Sequence, residues 1–416
     1  MSFTYTRSDS ATSRVRRYRC EEEDNGKMPV TRRRLVMLLA GGLAAPASAL
    51  LTSCRTAQPT ATPAAPTPTQ AAAAATTPTV GSTPTTAVEP TARPGTPTPL
   101  TSATVKARIA LTASDAAFLI ALDQGMFQEM GITVELITAT LDPGQALSLL
   151  GAGQLDLVGG GISAALVNGI KQGISLKIVV AETVITKDFG DYHVIGVAKS
   201  IHDSGEVRSV ADLRGKTIAL VTSSGGDVLE TQKVLAQHGL TLKDVQIQTL
   251  RAPDVPAALQ NAAVAAGFLI EPYVTIAVRQ LGAAVPLVSG NEIATIVGDG
   301  LPINVLSFGP RLLNDRPLAV AFLTAYLRGV AWYFDRIGEA SKRAEIAAVL
   351  KKYTPLKDDQ LYQTMTWPPI APDGRFEPRF LNDYQALWMD LGQIKETVPV
   401  DDLVDFSYLE EAAKQA

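Results

Sequence analysis

Cysteine is nearly absent: the 416 residues hold two, Cys20 and Cys54. Both stand before residue 55, so the chain beyond them has no thiol for a disulfide, a thiolate metal site or a cysteine nucleophile. Histidine is almost as scarce. His193, His202 and His238 fall in separate stretches, without the spacing of a metal-binding pair or the order of a Ser/His/Asp triad. Positive charge is not in excess either. A formal net charge of −4 leaves no basic footprint, which excludes nucleic acid as a partner. The run Gly159-Gly160-Gly161 lacks the Lys-Ser/Thr that follows a phosphate-binding loop, so nucleotide hydrolysis has no support. Together these absences call for no cofactor and no catalytic residue, and they point away from an enzyme. Aromatic residues are 6% of the chain, so the few beside predicted strand ends are candidates to be named singly.

What is present begins with an address. Arg32, Arg33 and Arg34 precede an apolar run over residues 35–51, broken by Gly41, Gly42 and Pro46 and ending in Leu51-Thr52-Ser53-Cys54. A basic cluster, a short apolar segment and small residues suit an export signal better than a membrane span. Leu-Thr-Ser-Cys resembles the bacterial lipobox, which implies diacylglyceryl transfer to Cys54 and cleavage after Ser53. The stretch from Thr31 to Val36 also resembles the twin-arginine pattern, so two export routes stay open. Residues 1–27 precede a complete signal starting at Met28, which makes 1–53 a leader with its signal peptide over 28–53. Residues 54–104 are dominated by Thr, Pro and Ala. Such a segment buries no core and stays extended, spanning roughly 150 Å at about 3.1 Å per residue. It reads as a tether.

Beyond it, 46% hydrophobic and 19% charged residues over the whole chain leave ample material for one large or two medium domains. An apolar strand over 108–111 meets the polar turn 112–115 and then a helix carrying Phe118, Leu119, Leu122 and Met126. A second strand spans 133–138, and a third over 154–158 ends in the glycine run. Strands alternating with helices predict a parallel sheet, in which ligands sit beyond the carboxyl ends of the strands. The order repeats later: a strand over 217–221, the hydroxyl- and glycine-rich loop 222–227, then a helix over 228–238. A strand over 303–308 and a long helix from Arg316 through Asp335 follow, with further helices to the end.

The succession of strand, small polar turn, DQGMFQEMGITVEL, AGQLDLVGGG and GISLKIVVA resembles the solute-binding proteins of ABC importers for nitrate, sulfonates, taurine, thiamine-precursor pyrimidine and riboflavin. The resemblance covers residues 105–400. It implies a two-lobed, periplasmic-binding-protein-like (type II) α/β fold with a hinge and an interlobe cleft. Lobe one is then 105–196 with 301–416, and lobe two is 197–300, with the terminal helices packing on lobe one. It implies a monomer, lipid-anchored on the outer face of the cell membrane, that hands a small-molecule solute to an ABC permease. Thiamine-pyrimidine synthases share the fold and form the rival reading. The resemblance gives that branch a cysteine-rich iron-binding run and bound pyridoxal phosphate, and this chain has no cysteine after Cys54.

Candidate ligand-binding residues follow from position. Thr112, Ser114 and Asp115 occupy the first turn, Gly160 and Ser163 the glycine run and its exit, and Thr222, Ser223, Ser224 and Gly225 the second turn. Hydroxyls and backbone N–H groups there converge on a ligand, or else cap the following helix. Glu182 and Glu271 stand at predicted strand ends, either as acceptors for a heterocycle or as surface acids. Phe118, Tyr192 and Tyr273 are candidates for stacking, or for core. No Arg or Lys occurs in the three turns, whereas acids do. That balance favours a donor-rich heterocycle over a small oxyanion, riboflavin first and thiamine-precursor pyrimidine second.

Lipidation of Cys54 is directly testable. Cys54→Ser should move the protein from the membrane to the soluble fraction; unchanged retention at the membrane would remove the anchor assignment.

Overall fold

The computed structural model describes residues 102–139 and 141–416. The leader, Cys54 and the Thr/Pro/Ala segment through residue 101 lie outside the described residues; the expected end of that segment at 104 is corrected, since the first strand already begins at Ala103.

Among the described residues, ten strands form two five-stranded sheets. The first contains β1 (Ala103–Arg108), β2 (Ile132–Leu136), β3 (Leu157–Gly161) and β4 (Lys177–Val184). The chain then builds the second from β5 (His193–Ala198), β6 (Thr217–Leu220), β7 (Gln246–Thr249), β8 (Ala266–Ile270) and β9 (Ala284–Val288), and returns through β10 (Pro302–Phe308). The orders are β2-β1-β3-β10-β4 and β7-β6-β8-β5-β9. In each sheet the first three strands are parallel neighbours: β1 pairs with β2 and β3, and β6 with β7 and β8. The strand that arrives from the other lobe, β10 or β5, inserts antiparallel beside the innermost of them.

β5 settles where lobe two begins. It pairs with β8 from His193↔Ile270 to Val197↔Ala266 and with β9 on its other side, so the expected boundary at 196/197 cuts a strand that belongs wholly to the second sheet. The division falls before His193, since a strand cannot leave its sheet halfway along its ladder. Other expected strands shift by a few residues. The glycine run lies inside β3 rather than after it, and β4 runs on to Val184, which puts Glu182 within the strand.

β4 is the edge of the first sheet, and its sequence KIVVAETV is buried on both faces. The C-terminal chain covers it: Ala181 N donates to Gly374 O at 2.7 Å and Val184 N to Pro369 O at 3.1 Å. An apolar edge strand left open would be a template for another chain. The terminal region does more than pack on lobe one. Helix Phe380–Asp390 belongs to a continuous core running from Leu147 and Val167 of lobe one through Phe380, Tyr384 and Trp388 to Leu213 and Leu235 of lobe two. Trp388 Nε1 donates to Ser224 O at 2.7 Å and Lys233 pairs with Asp383 at 2.8 Å. It bridges the lobes.

The long helix Arg316–Ile337 starts where Asp315 accepts from Leu318 N at 3.2 Å, with Pro317 in the first turn, where its missing N–H is harmless. It crosses helix Ala116–Asp123 at Gly329, where an added Cβ would stand 2.3 Å from Ala117 O and 3.0 Å from Ala121 Cβ. Hydrogen alone fits there. Gly329→Ala should lower the melting temperature, by about 1–3 kcal/mol of stability as overpacking typically does. Gly338→Ala, whose methyl meets nothing within 4 Å, is the matched control. Equal melting of the two variants would contradict the crossing.

Candidate functional site between the lobes

The first turn folds onto one carboxylate. Thr112 N donates to Asp115 Oδ2 at 2.7 Å and Thr112 Oγ1 at 3.0 Å, closing a turn that leads straight into helix Ala116–Asp123. That engages one oxygen of Asp115 and turns the residue inward, where it is fully buried. Ser114 Oγ meets Tyr192 OH at 2.7 Å, a buried contact between lobe one and the entry to lobe two. Tyr192 stacks on His193, with ring centroids 5.1 Å apart, and His193 Nδ1 lies 2.9 Å from Glu230 Oε2.

Glu182 faces the same region. Its Oε2 is 3.4 Å from where a Cβ at Gly159 would sit, so the bare backbone of β3 lets the carboxylate lie close. Glu182 is 1% exposed, and among the described residues neither of its oxygens has a hydrogen-bond partner. Asp115 Oδ1 and Tyr326 OH are buried and unpartnered as well. Burial holds the Glu182 carboxyl well above the ordinary glutamate range, and repulsion from Asp115 adds to it. Burial raises Asp115 too, opposed by its hydrogen bonds from Thr112 and by the Arg108 charge. Tyr326 is pushed far up by burial, and the charges of Glu182 and Asp115 add to it. Desolvating an unpaired carboxylate costs several kcal/mol, so this cluster is strained unless a proton or a donor-rich partner occupies it.

The other candidates divide. The 222–226 loop closes on Asp227 without a side-chain cap on the helix that follows: Val221 N and Thr222 N donate to Asp227 Oδ2 at 2.8 and 2.9 Å, Thr222 Oγ1 donates to Asp227 Oδ1, and Gly225 N donates to Thr222 Oγ1 at 2.7 Å. The backbone carbonyls of Ser223 and Ser224 accept from Gln393 and Trp388 of the bridging segment. Glu271 is not a surface acid. It is 6% exposed and accepts from Thr275 N, Thr275 Oγ1 and Thr366 N at 3.0, 2.9 and 2.9 Å, tying lobe two to the segment ahead of Ile370. Tyr273 packs against lobe two's satellite core around Val255 and Leu259. Phe118 is fully buried among Phe127 and Phe322, 5.4 and 5.9 Å away between centroids, so it is core and stacks on no ligand. It lies on the inner stripe of its helix, which the long helix covers.

Gly160 stands on the opposite face of β3 from Gly159, the glycine beside Glu182, since successive strand residues alternate, and Ser163 follows just past the strand. They line a pocket of about 80 Å³ with Arg108, Leu147 and Leu166. Arg108 Nη1 would lie 3.8 Å from a Cβ at Gly160, and Nη2 donates to Leu141 O at 3.0 Å. A guanidinium therefore borders the glycine run, although the turns themselves contain no cation. The inference from charge-free turns missed it because Arg108 closes β1 instead of lying in a turn. Tyr326 escaped for a similar reason: at four residues from Phe322 it reads as one more member of a buried stripe.

Because the folded chain keeps on Glu182 a proton that the unfolded chain releases, this group's stabilisation is complete below the ordinary glutamate pKa and is lost as pH rises through the elevated folded value. Melting temperature of the ligand-free protein should fall as pH rises above about 5. Glu182→Gln should melt higher than the native chain at neutral pH and with a flatter profile. Parallel profiles for the two proteins would show that Glu182 carries no such penalty.

Residues 113–340 match the family model described as NMT1/THI5 like. Among solved structures, the chain resembles the ligand-binding component of an ABC-type import system from Staphylococcus aureus, solved with zinc bound, with TM-score 0.57, 16% identity, and coverage of 75% of this chain and 99% of that one. The periplasmic aliphatic sulphonate-binding protein SsuA from Escherichia coli matches with TM-score 0.55 and 19% identity over 73% and 92%. The desulfurization enzyme DSZB matches with TM-score 0.50 and 14% identity over 74% and 98%. At these identities the likeness establishes the fold.

Proposed function

The chain belongs to the NMT1/THI5-like family and has the two-lobed, periplasmic-binding-protein-like type II fold; from that premise we propose that it is the solute-binding component of an ABC importer. In this reading it is a monomer anchored outside the cell through Cys54. It encloses a small solute between its lobes and passes it to a membrane permease. The observation that carries the reading is the buried set of Asp115, Glu182 and Tyr326, four of whose five polar side-chain atoms have no partner among the described residues. A catalytic constellation is not needed to explain it. A solute with several donors would relieve the desolvation those groups suffer, and it would reach them only if the lobes part, since Asp115 and Glu182 are 0% and 1% exposed. Glu182, Asp115, Ser114 and Tyr192 are the proposed contacts, with the 222–225 loop as the lobe-two wall.

Acceptors outnumber donors in that group, which favours a vitamin-type heterocycle, riboflavin first and a thiamine-precursor pyrimidine second. One observation supports a second reading. Arg108 beside Gly160 and Ser163 offers a guanidinium in a pocket sized for a single small anionic group, which suits a sulfonate or nitrate importer.

Calorimetry separates the two. Riboflavin should bind near micromolar or tighter, about −8 kcal/mol or beyond, and small-angle scattering should show the chain compacting on saturation. Binding of taurine or nitrate, abolished by Arg108→Gln and with no response to either vitamin, would establish the second reading over the first.

A further inference from the structure

Resting on the reading that the lobes part to admit a solute, we propose that the bridging C-terminal segment is a latch: built into lobe one, it holds the solute-free lobes closed by capturing the Ser223 and Ser224 carbonyls of lobe two. Its attachment to lobe one is threefold. Residues 369–374 hydrogen-bond the edge of β4 at Ala181 and Val184, Tyr384 OH donates to Pro302 O of β10 at 2.8 Å, and Asn168 Nδ2 of helix Ala165–Lys171 donates to Gln393 O at 3.0 Å. From that base two side chains reach across. Trp388 Nε1 donates to Ser224 O at 2.7 Å and Gln393 Nε2 to Ser223 O at 2.8 Å, so both donors end on one loop of lobe two. Trp388 is buried, and its bond is exchanged for one to water only when the lobes part.

The pivot lies where the chain passes between the sheets. The two passages, 185–192 and 289–301, are fastened to each other reciprocally: Gly190 N donates to Asn291 Oδ1 at 2.9 Å and Gly290 N to Asp191 Oδ1 at 3.1 Å. A Cβ at Gly290 would stand 1.7 Å from Gly190 O, so the two backbones are in contact. Such a crossing resists sliding and leaves rotation, which separates groups in proportion to their distance from it. The passages join β4 and β10 to β5 and β9, which lie at one end of the strand order in each sheet. Glu271, which grips Thr366 N, follows β8, one strand from β5 and about 5 Å out. The 222–226 loop follows β6, two strands out at about 10 Å. A turn that the inner bonds survive therefore pulls Trp388 and Gln393 off their carbonyls.

Spin labels read the latch directly. The sequence has cysteine only at 20 and 54, so the full-length chain with both replaced by Ser takes a label pair at Glu135→Cys on β2 and Gln248→Cys on β7. Both residues are exposed, on the sheet edges farthest in strand order from the crossing. Pulsed electron paramagnetic resonance of the solute-free protein should give mainly a short separation. Trp388→Phe with Gln393→Met keeps an aromatic ring and a long side chain but removes both donors; the closed-to-open ratio should fall at least about tenfold, the worth of two ordinary hydrogen bonds. Gly329→Ala, which crowds the helix crossing inside lobe one, should melt lower and keep the short separation, so lost stability alone does not imitate release. A solute-free native chain that is already open, or a folded double variant with an unchanged distribution, would overturn the latch. If the double variant does not fold, Gln393→Met alone decides: a shift of about threefold in the same direction supports the latch and no shift overturns it. Calorimetry with riboflavin, taurine and nitrate separates this proposal from the reading beneath it. An unreleased variant that binds one of them overturns the latch and leaves solute binding standing; a released variant to which none binds keeps the latch and removes that reading.

Discussion

Two acids that the protein itself does not pair set the terms for this structure. Glu182 and Asp115 sit at 1% and 0% exposure with three oxygens unpartnered among the described residues, and an uncompensated buried carboxylate is among the most costly arrangements a fold can hold. The surroundings keep the pair dry. Ser114 of lobe one meets Tyr192 at the entry to lobe two, the long helix carries Tyr326, and the backbone of β3 is bare at Gly159 where Glu182 passes. A lobe contact that seals unpaired charge is stable only while a proton or a partner resides inside, so opening, closing and protonation are linked through the same groups.

The C-terminal region determines how far the lobes can act as separate bodies. Between Thr366 and Gln393 it reaches both: Thr366 N to Glu271 of lobe two, Ile370 to the edge of β4 in lobe one, Trp388 to Ser224, and Gln393 to Ser223, while Asn168 of lobe one holds Gln393 O at 3.0 Å. Aromatic and aliphatic residues of helix Phe380–Asp390 weld the two cores into one. Parting of the lobes must break or carry along these bonds. The segment is therefore a strap as much as a support, and the 222–226 loop, with its hydroxyl spent on Asp227 and its carbonyls on the strap, is held by it.

Much of the fold was legible in the chain. Apolar periodicity, the glycine run and the recurrence of strand, small polar turn and helix located the elements of both lobes to within a few residues, because backbone hydrogen bonding and face alternation act locally. The placement of Thr112, Ser114, Asp115 and Tyr192 in or beside those turns was legible for the same reason, whereas Glu182, expected at a strand end, lies within β4. What was not legible was the direction each side chain takes. Phe118 follows Asp115 by three residues, yet it enters the core with Phe127 and Phe322. Gly159 and Gly160 are neighbours in β3, yet they face opposite ways, one beside Glu182 of β4 and the other beside Arg108.

Sequence alone determined the class of fold, the order of its elements, the double passage between lobes and the shortage of thiol and imidazole that rules out several chemistries. Tertiary structure decided which acids are buried, which hydroxyls are consumed in closing their own loops, that β5 lies wholly in lobe two, and that helix Phe380–Asp390 bridges the lobes. The physical reason is range. Propensity and periodicity are properties of neighbours along the chain, whereas desolvation and ion pairing depend on residues such as Asp115, Glu182 and Tyr326, which only the packed fold brings together.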